Sequence, residues 1–249
     1  MKKKISVLLM LVLAFSMVTF TGCEEQSSDE AFLDALVNGL EARWTLTDKF
    51  EGDNAADETK TDWESFFNAE YEQIKDFKDA EFENADLGKW AKKYINSIEA
   101  SKDCLQYYGT NQWDEKYFNG AYQSRVEALY MINSIQKIEV SEEYDGDLSS
   151  LITDGEVSNM VTKLLKEVKF KETKNDYGWK TYQAVVENTS SADFDYFAFT
   201  VALIDKDGVT ISTQDAYVEK WNSGEKIRFE FETDEDFEEM NVKYASWNF

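Results

Sequence analysis

The absence of histidine limits the chemistry that this chain can carry out, because its 249 residues include none. Histidine is the usual general base near neutral pH and the usual ligand of catalytic zinc. Ser-His-Asp and Cys-His sites therefore cannot form. Pairs of carboxylates, as in glycosidases, remain possible among the 50 acidic residues, although most of these should be solvated. The sequence predicts that the protein is not an enzyme and that it has no catalytic residue, cofactor or metal site.

Two arginines lie at positions that should point toward the interior of the helical bundle or its edge. Arg43 lies seven residues after Leu36 and shares its apolar helix face, and Arg125 lies four residues before Leu129. Glu70 falls on the apolar face of a helix between them in the sequence. Because a buried guanidinium needs a partner, the three charged residues are predicted to form a structural ion pair that fixes helix register. The alternative is that the arginines form an anion-binding pocket.

Cys23 carries the thiol that is best placed for covalent modification. It follows a basic start, Lys2–Lys4, and an apolar run from Ile5 to Phe20, which is the pattern of a secretory signal peptide. The run is shorter than the about 20 residues that a membrane span needs. The residues Phe20-Thr21-Gly22-Cys23 resemble a bacterial lipobox, in which small residues precede the lipid-bearing cysteine.

The lipobox resemblance implies that a diacylglyceryl group is joined to the sulfur of Cys23 and that the chain is cleaved before it. Residues 1–22 would then be a lipoprotein signal peptide, and residues 23–29 the lipidated cysteine with a short tether. Two acyl chains anchor a protein durably, whereas one does so only marginally. We therefore expect the protein to lie at the extracellular face of the bacterial cytoplasmic membrane. The alternative is an ordinary signal peptide with a chance cysteine.

The first half of the chain has the apolar periodicity of helices, and residues 30–140 are predicted to form an antiparallel helical bundle. Residues 141–166 are predicted to be a linker that contains a short helix. Cys104 is expected to be a buried structural thiol. The first two helices are predicted to start at the capping boxes Ser27-x-x-Glu30 and Thr61-x-x-Glu64. The third is predicted to start near Asn84 and the fourth near Asp114, and the fourth is expected to bury Phe118.

From Val168 onward the sequence is rich in Val, Ile, Phe, Tyr and Thr, with turn signals between the runs. Residues 167–249 are therefore predicted to form an antiparallel β-sandwich. The fold class expected for the whole chain is α+β, with two domains. Asp205–Gly208 is similar to part of a calcium loop, but its place between two strands favours a hairpin turn.

The β-rich part resembles the FxLYD-type domain of bacterial surface proteins. The shared features are Asn188 at a strand end, the segment Phe199–Asp205, the Asp205–Gly208 turn, and Gly224-Glu225 before a closing strand. The resemblance implies an immunoglobulin-like fold and no catalytic residue. The helical half, including "GLEARWTLTDK", is similar to the N-terminal part of uncharacterised lipoproteins from Gram-positive bacteria, which supports the location only.

The strongly acidic composition constrains the partners of the chain. Its net charge is −24 and becomes more negative once Lys2–Lys4 are removed with the signal peptide. Nucleic acid is excluded as a partner, because phosphate contacts need Lys and Arg. The surface charge also opposes binding to anionic lipid, so the lipid on Cys23 must attach the protein to the membrane.

These observations predict an extracellular, membrane-anchored lipoprotein that acts as a non-catalytic binding or assembly module, with an unidentified protein partner at the cell surface. An exposed strand edge without a cavity would favour protein docking. The first alternative is a small-ligand or glycan-binding lipoprotein, favoured if solvent-facing aromatic side chains form a platform in a groove between the domains. A carboxylate-based hydrolase is the remaining alternative and requires two carboxylates that face each other in a deep pocket.

Overall fold

The computed structural model describes residues 27–50 and 57–249, so the expected signal peptide and Cys23 lie outside the described residues. Within these ranges the chain forms five α-helices followed by six β-strands, which confirms the α+β class with a helical N-terminal part and a β C-terminal part. None of the helices in the described ranges is both long enough and apolar enough to cross a bilayer.

The helical part consists of four helices that pack together and a fifth that continues into the β part. The helices are α1, Ser28–Thr47; α2, Lys60–Ile74; α3, Ala85–Cys104; α4, Gln123–Ile135; and α5, Asp145–Glu167. A π-helix, Asp114–Tyr122, leads directly into α4. Short 3-10 helices occur at Asp48–Phe50, Lys75–Phe77, Leu105–Tyr107 and Glu142–Tyr144.

Side-chain caps set the starts of three helices. The hydroxyl of Ser27 accepts a hydrogen bond from Glu30 N at 3.2 Å, which begins α1 as predicted. The reciprocal capping box of α2 is formed by Thr59 and Asp62 rather than by the predicted Thr61 and Glu64, because Thr59 N donates to the Asp62 carboxylate at 2.9 Å. The start predicted for α3 is confirmed, since the Asn84 side chain accepts from two backbone N–H groups of its first turn.

The core of the bundle is apolar and aromatic. Burial of each large apolar side chain stabilises the fold by about 1.5 to 3 kcal/mol, so this core supplies most of the driving force. The fully buried members include Phe32, Leu36, Leu40, Phe67, Ile74, Leu87, Ala91, Tyr94, Ile95, Ile98, Leu129 and Ile132.

The π-helix changes which aromatic residues are buried at the start of the fourth predicted helix. The sequence pattern placed Phe118 in the core, but its side chain is exposed, and Tyr117 is buried instead. The wider winding of a π-helix shifts the side chains around its axis relative to an α-helix. Tyr117 stacks on Trp113 with ring centroids 4.7 Å apart, which holds the segment against the bundle.

The segment 141–166 is not a linker with a short helix, since most of it belongs to α5, which is 23 residues long. The first half of α5 packs on the bundle through Leu148, and its second half enters the core of the β part through Val157 and Val161. Gly, Asp and Ser are poor helix formers, which is why the sequence "DGDLSSLITDG" did not indicate a helix. Packing against α4 and the sheets stabilises it nonetheless.

The described strands form two antiparallel sheets of three, in the orders β1-β2-β5 and β4-β3-β6. Inward-facing side chains of both sheets, together with Val157, Met160 and Val161 of α5, share one core that includes Tyr182, Phe197, Phe199, Trp221, Phe229 and Phe231. The strands are β1, Lys171–Asp176; β2, Trp179–Glu187; β3, Tyr196–Ile204; β4, Thr210–Val218; β5, Lys226–Thr233; and β6, Glu239–Asn248.

Candidate functional site

The three charged residues predicted to interact lie together in the bundle core. Glu70 on α2 is fully buried between two arginines. Its Oε2 accepts from Nη1 of Arg43 on α1 at 3.0 Å, and its Oε1 accepts from Nε of Arg125 on α4 at 2.9 Å. One carboxylate therefore connects three helices. Its two arginine partners come from α1 and α4, which are far apart in the sequence.

Two tyrosines complete this charged cluster. The Tyr94 hydroxyl donates to Glu70 Oε1, and the Tyr117 hydroxyl accepts from Arg43 Nη2 at 3.3 Å. The Nη2 atom of Arg125 is buried and has no hydrogen-bond partner. All five members of the cluster are buried, so it has the geometry of a structural network and exposes little surface to an anion from solvent.

The surroundings of Glu70 keep it ionised. Burial acts to raise the pKa of this carboxyl, but the positive charges of Arg125 and Arg43 outweigh it, and the pKa lies below its ordinary value. The same burial raises the pKa of the Tyr94 hydroxyl well above its usual range, so the tyrosine stays a neutral donor. The cluster therefore holds one negative and two positive charges inside the bundle.

Cys104 and the turn Asp205–Gly208 both make local hydrogen bonds. The Cys104 thiol is buried and its Sγ donates to the carbonyl of Lys116 at 3.3 Å; burial raises its pKa, which disfavours the reactive thiolate. Asp205 Oδ1 accepts from the backbone N–H groups of Asp207 and Val209, both at 2.9 Å, as expected for a hairpin turn. Across the described ranges, no three or more acidic or thiol side chains converge in a way that could hold a metal ion.

A recess lies between the helical part and the β4-β3-β6 sheet. It has a volume of about 580 Å³, within the range of about 300 to 1,000 Å³ that is typical of small-molecule sites. We call it the interdomain cleft. Its lining residues are Glu115 and Asn119 of the π-helix, Gln123 at the start of α4, and Tyr244, Ala245 and Trp247 of β6.

The helical wall of the interdomain cleft is polar. Glu115, Asn119 and Gln123 are each four residues apart, so they follow one another along one side of the helix. Gln123 Oε1 is buried and has no hydrogen-bond partner, although a buried polar atom left unpaired costs about 1 to 3 kcal/mol. π-helical segments are rare in proteins, and those that occur are often found at functional sites. The helical wall thus combines unused hydrogen-bonding capacity with an unusual backbone.

The sheet wall is aromatic. The Trp247 ring is half-buried and lies nearly parallel to that of Phe197 in the core, with centroids 6.2 Å apart and an angle of 16°. This contact holds the indole in place. Tyr244, three residues earlier on the same edge strand, is more than half exposed. Both residues line the recess, but from opposite faces of β6, because Trp247 pairs with the core residue Phe197 and Tyr244 pairs with Thr200.

The two walls are held in a fixed relationship by α5. Ser158 Oγ donates to the carbonyl of Gln123 at 3.1 Å, and the Tyr122 hydroxyl pairs with Asp154. On the β side, the Glu156 carboxylate accepts from Ser191 N at 3.1 Å. Because one helix carries contacts to both parts, the interdomain cleft is formed before any ligand arrives.

A second exposed feature is the hairpin between β1 and β2. All six residues of β1 are exposed, and β1 pairs with β2 alone, so it is an edge strand. At its tip Tyr177 is fully exposed and has a φ of 55°, which is uncommon for an aromatic residue, and Trp179 is half exposed.

Sequence reasoning missed most of the interdomain cleft. The sequence predicted only that solvent-facing aromatic side chains could form a platform, and it did not identify Tyr244, Gln123 or Asn119. The four-residue spacing of Glu115, Asn119 and Gln123 was the available signal. It was obscured because the same segment also contains a periodic apolar pattern.

No protein-family model matches the chain, and no curated protein matches its sequence. A solved structure, that of IrmA from Escherichia coli, is similar to part of it. The two share 20% identity, the match covers 32% of this chain and 76% of that chain, and the TM-score is 0.27. What the protein does must therefore be inferred from its own residues.

Proposed function

We propose that the protein is an extracellular lipoprotein, anchored at the outer face of the bacterial cytoplasmic membrane through Cys23, and that it acts as a non-catalytic binding module. The signal-like N-terminus and the residues Thr21-Gly22-Cys23 support the anchor. A strongly acidic protein gains nothing from contact with anionic headgroups, so attachment requires the acyl chains.

The interdomain cleft is the observation that carries the binding role. It is preformed, of the size of a small-molecule site, and lined by aromatic and polar side chains. Glu115 is its one acidic lining residue among the described residues, whereas carboxylate-based hydrolysis needs two carboxylates on either side of the scissile bond. Capture of a small ligand therefore fits this site better than hydrolysis.

We also propose that the β part is an immunoglobulin-like domain of the FxLYD type. Two antiparallel sheets with one shared core support this, and so does the contact between two parts of the motif. Asn188 N donates to the carbonyl of Glu225 at 3.0 Å, and Gly224 N donates to the carbonyl of Asn188 at 2.8 Å. An experimental structure in which β2 and β3 share a sheet would contradict this assignment.

The anchor is tested by changing Cys23→Ser in the producing cell. We expect the variant to carry no lipid mass, as measured by intact mass spectrometry, and its mature form to leave the membrane fraction, as measured by fractionation. Cys104→Ser is the matched control and should stay in the membrane fraction, because its thiol is buried in the bundle. Unchanged membrane retention of the Cys23→Ser variant would contradict the proposal.

Docking of a protein partner is a second candidate function, favoured by the aromatic hairpin tip. The edge of β1 itself is protected, because an irregularity between Glu172 and Lys174 and its lysines discourage strand addition. The exposed rings of Tyr177 and Trp179 are the more suitable contact.

A photo-crosslinking amino acid at position 177 should capture a protein on intact cells. The same group at Tyr217, which is exposed on the other sheet, is the control, and equal yields would count against this candidate.

A further inference from the structure

We propose that the interdomain cleft binds a neutral carbohydrate, with Trp247 as the stacking surface and Gln123 as a hydrogen-bonding residue. This inference rests on the proposed binding function and names its ligand class. A sugar ring offers a face of C–H groups and a rim of hydroxyls. The cleft offers the complementary arrangement, with aromatic rings on its sheet wall and amide groups on its helical wall.

The stacking surface is the indole of Trp247. Because its ring lies nearly parallel to Phe197, at 6.2 Å between centroids, it cannot turn freely. A ligand that stacks on it pays little entropy for ordering the side chain. Tyr244 adds a second exposed ring whose hydroxyl can donate or accept a hydrogen bond.

The hydrogen-bonding groups of the helical wall are amides, which can pair with the hydroxyl groups of a sugar. Gln123 Oε1 is buried and unpaired, so it needs a donor. The Asn119 amide supplies both donors and an acceptor, and a sugar hydroxyl is likewise both donor and acceptor. A hydroxyl would remove that cost once the Gln123 side chain turns toward the cleft, whereas an apolar ligand would leave Oε1 unpaired.

The charge at the cleft favours a neutral ligand. Glu115 is its one charged lining residue among the described residues, and Lys116 Nζ lies 2.9 Å from its carboxylate, which compensates the charge locally. An anionic sugar would meet the negative field of a protein with a net charge of −24. The same field would attract a cationic ligand, but inside the cleft that ligand would find only this one paired carboxylate and the aromatic rings, which is why a cationic probe is included in the test.

The test is titration of the full chain, purified in detergent, with neutral tetrasaccharides of glucose and of N-acetylglucosamine, using tryptophan fluorescence and calorimetry. Tetramethylammonium is titrated in parallel as a cationic probe. We expect at least one tetrasaccharide to bind and to perturb tryptophan emission. Trp247→Ala and Gln123→Leu should each weaken that binding by about tenfold or more, which corresponds to about 1.4 kcal/mol.

Matched variants separate the cleft from the rest of the protein. Tyr217→Ala removes an exposed aromatic ring outside the cleft, and Asn111→Ala removes an exposed amide outside it; both should bind like the unchanged chain. Asn119→Ala is exposed and should fold normally, so loss of binding in this variant keeps the test valid if Trp247→Ala does not fold. No tetrasaccharide binding at about 10 mM, binding that is unaffected by all three cleft variants, or binding of tetramethylammonium alone would overturn the inference. The anchor and the wider binding role are tested separately: the Cys23→Ser variant tests the anchor, and crosslinking at position 177 tests binding of a protein partner.

Discussion

Gly155 of α5 lies directly against the backbone of Val126 on α4. A Cβ atom placed on Gly155 would be 2.1 Å from the carbonyl oxygen of Val126 and 2.6 Å from Cβ of Tyr130, both far inside contact distance. The two helices can approach this closely only because residue 155 has no side chain. The contact occurs where α5 leaves the bundle and enters the β part, so it fixes the geometry of both walls of the interdomain cleft.

Gly155→Ala is therefore expected to destabilise the protein by about 1 to 3 kcal/mol or more, because backbone atoms must move to make room. Urea denaturation followed by circular dichroism measures this change. The matched control is Gly146→Ala on the same helix, where an added Cβ meets nothing within 4 Å. That variant should be as stable as the unchanged chain or more stable by up to about 1 kcal/mol, because Ala favours helix over Gly. Similar losses in both variants would contradict the close-contact explanation.

Glu70→Gln is expected to destabilise the bundle by about 3 to 5 kcal/mol near neutral pH, because it leaves two buried arginines without a counter-charge. Arg125→Met should cost less, since Glu70 then keeps its 3.0 Å contact with Arg43. Both free energies can be measured by urea denaturation. Glu72→Gln, exposed on the same helix, is the control and should change stability little. If Arg125→Met proved the more damaging change, the central role given to Glu70 would be wrong.

Acid should weaken the fold partly through Glu70. Its pKa is lower in the folded protein than the ordinary value of 4.5, so the carboxylate contributes stability above that pH. The contribution is lost as the pH falls below 4.5 and through the folded pKa. The free energy of unfolding of Glu70→Gln should therefore depend less on pH in this window than that of the unchanged chain. Parallel pH profiles for the two proteins would contradict this prediction.

The helical and β parts are expected to unfold together. The first half of α5 is buried by the bundle, and Met160 and Val161 in its second half are buried by the sheets, so neither part can melt without exposing α5. Calorimetry should show one transition with equal calorimetric and van't Hoff enthalpies. Met160→Ala should lower that single Tm, with a cost of about 2 to 5 kcal/mol. Two separate transitions would show that α5 does not couple the parts.

The sequence was most informative where a residue type conflicted with its surroundings. Arg43, Glu70 and Arg125 interrupt apolar helix faces, and buried charges must find partners, so their meeting in the core could be predicted. Asn84 likewise marked a helix start, because few residues cap a helix as well as asparagine. The change from helical to strand periodicity near Val168 located the boundary between α and β structure.

The remaining features depend on contacts between distant segments. α5 contains two glycines and several polar residues in its first half, so its local preference is weak, and tertiary packing decides its structure. The π-helix that exposes Phe118 has no distinct sequence signature. The interdomain cleft forms only when Gln123 and Trp247, more than a hundred residues apart, are brought together by α5. No local pattern contains that information.

The continuity of α5 also restricts how the protein can vary in length. An α-helix turns by about 100° and advances by about 1.5 Å for each residue, so one amino acid inserted between Gly155 and Val157 would swing the β part around the helix axis. Glu115 and Trp247 would then no longer lie in the same recess. Insertions in the hairpin turn Asp205–Gly208 would have no such effect. Evolution can therefore lengthen the surface turns of this molecule freely, whereas the spacing along its shared helix must be kept residue by residue.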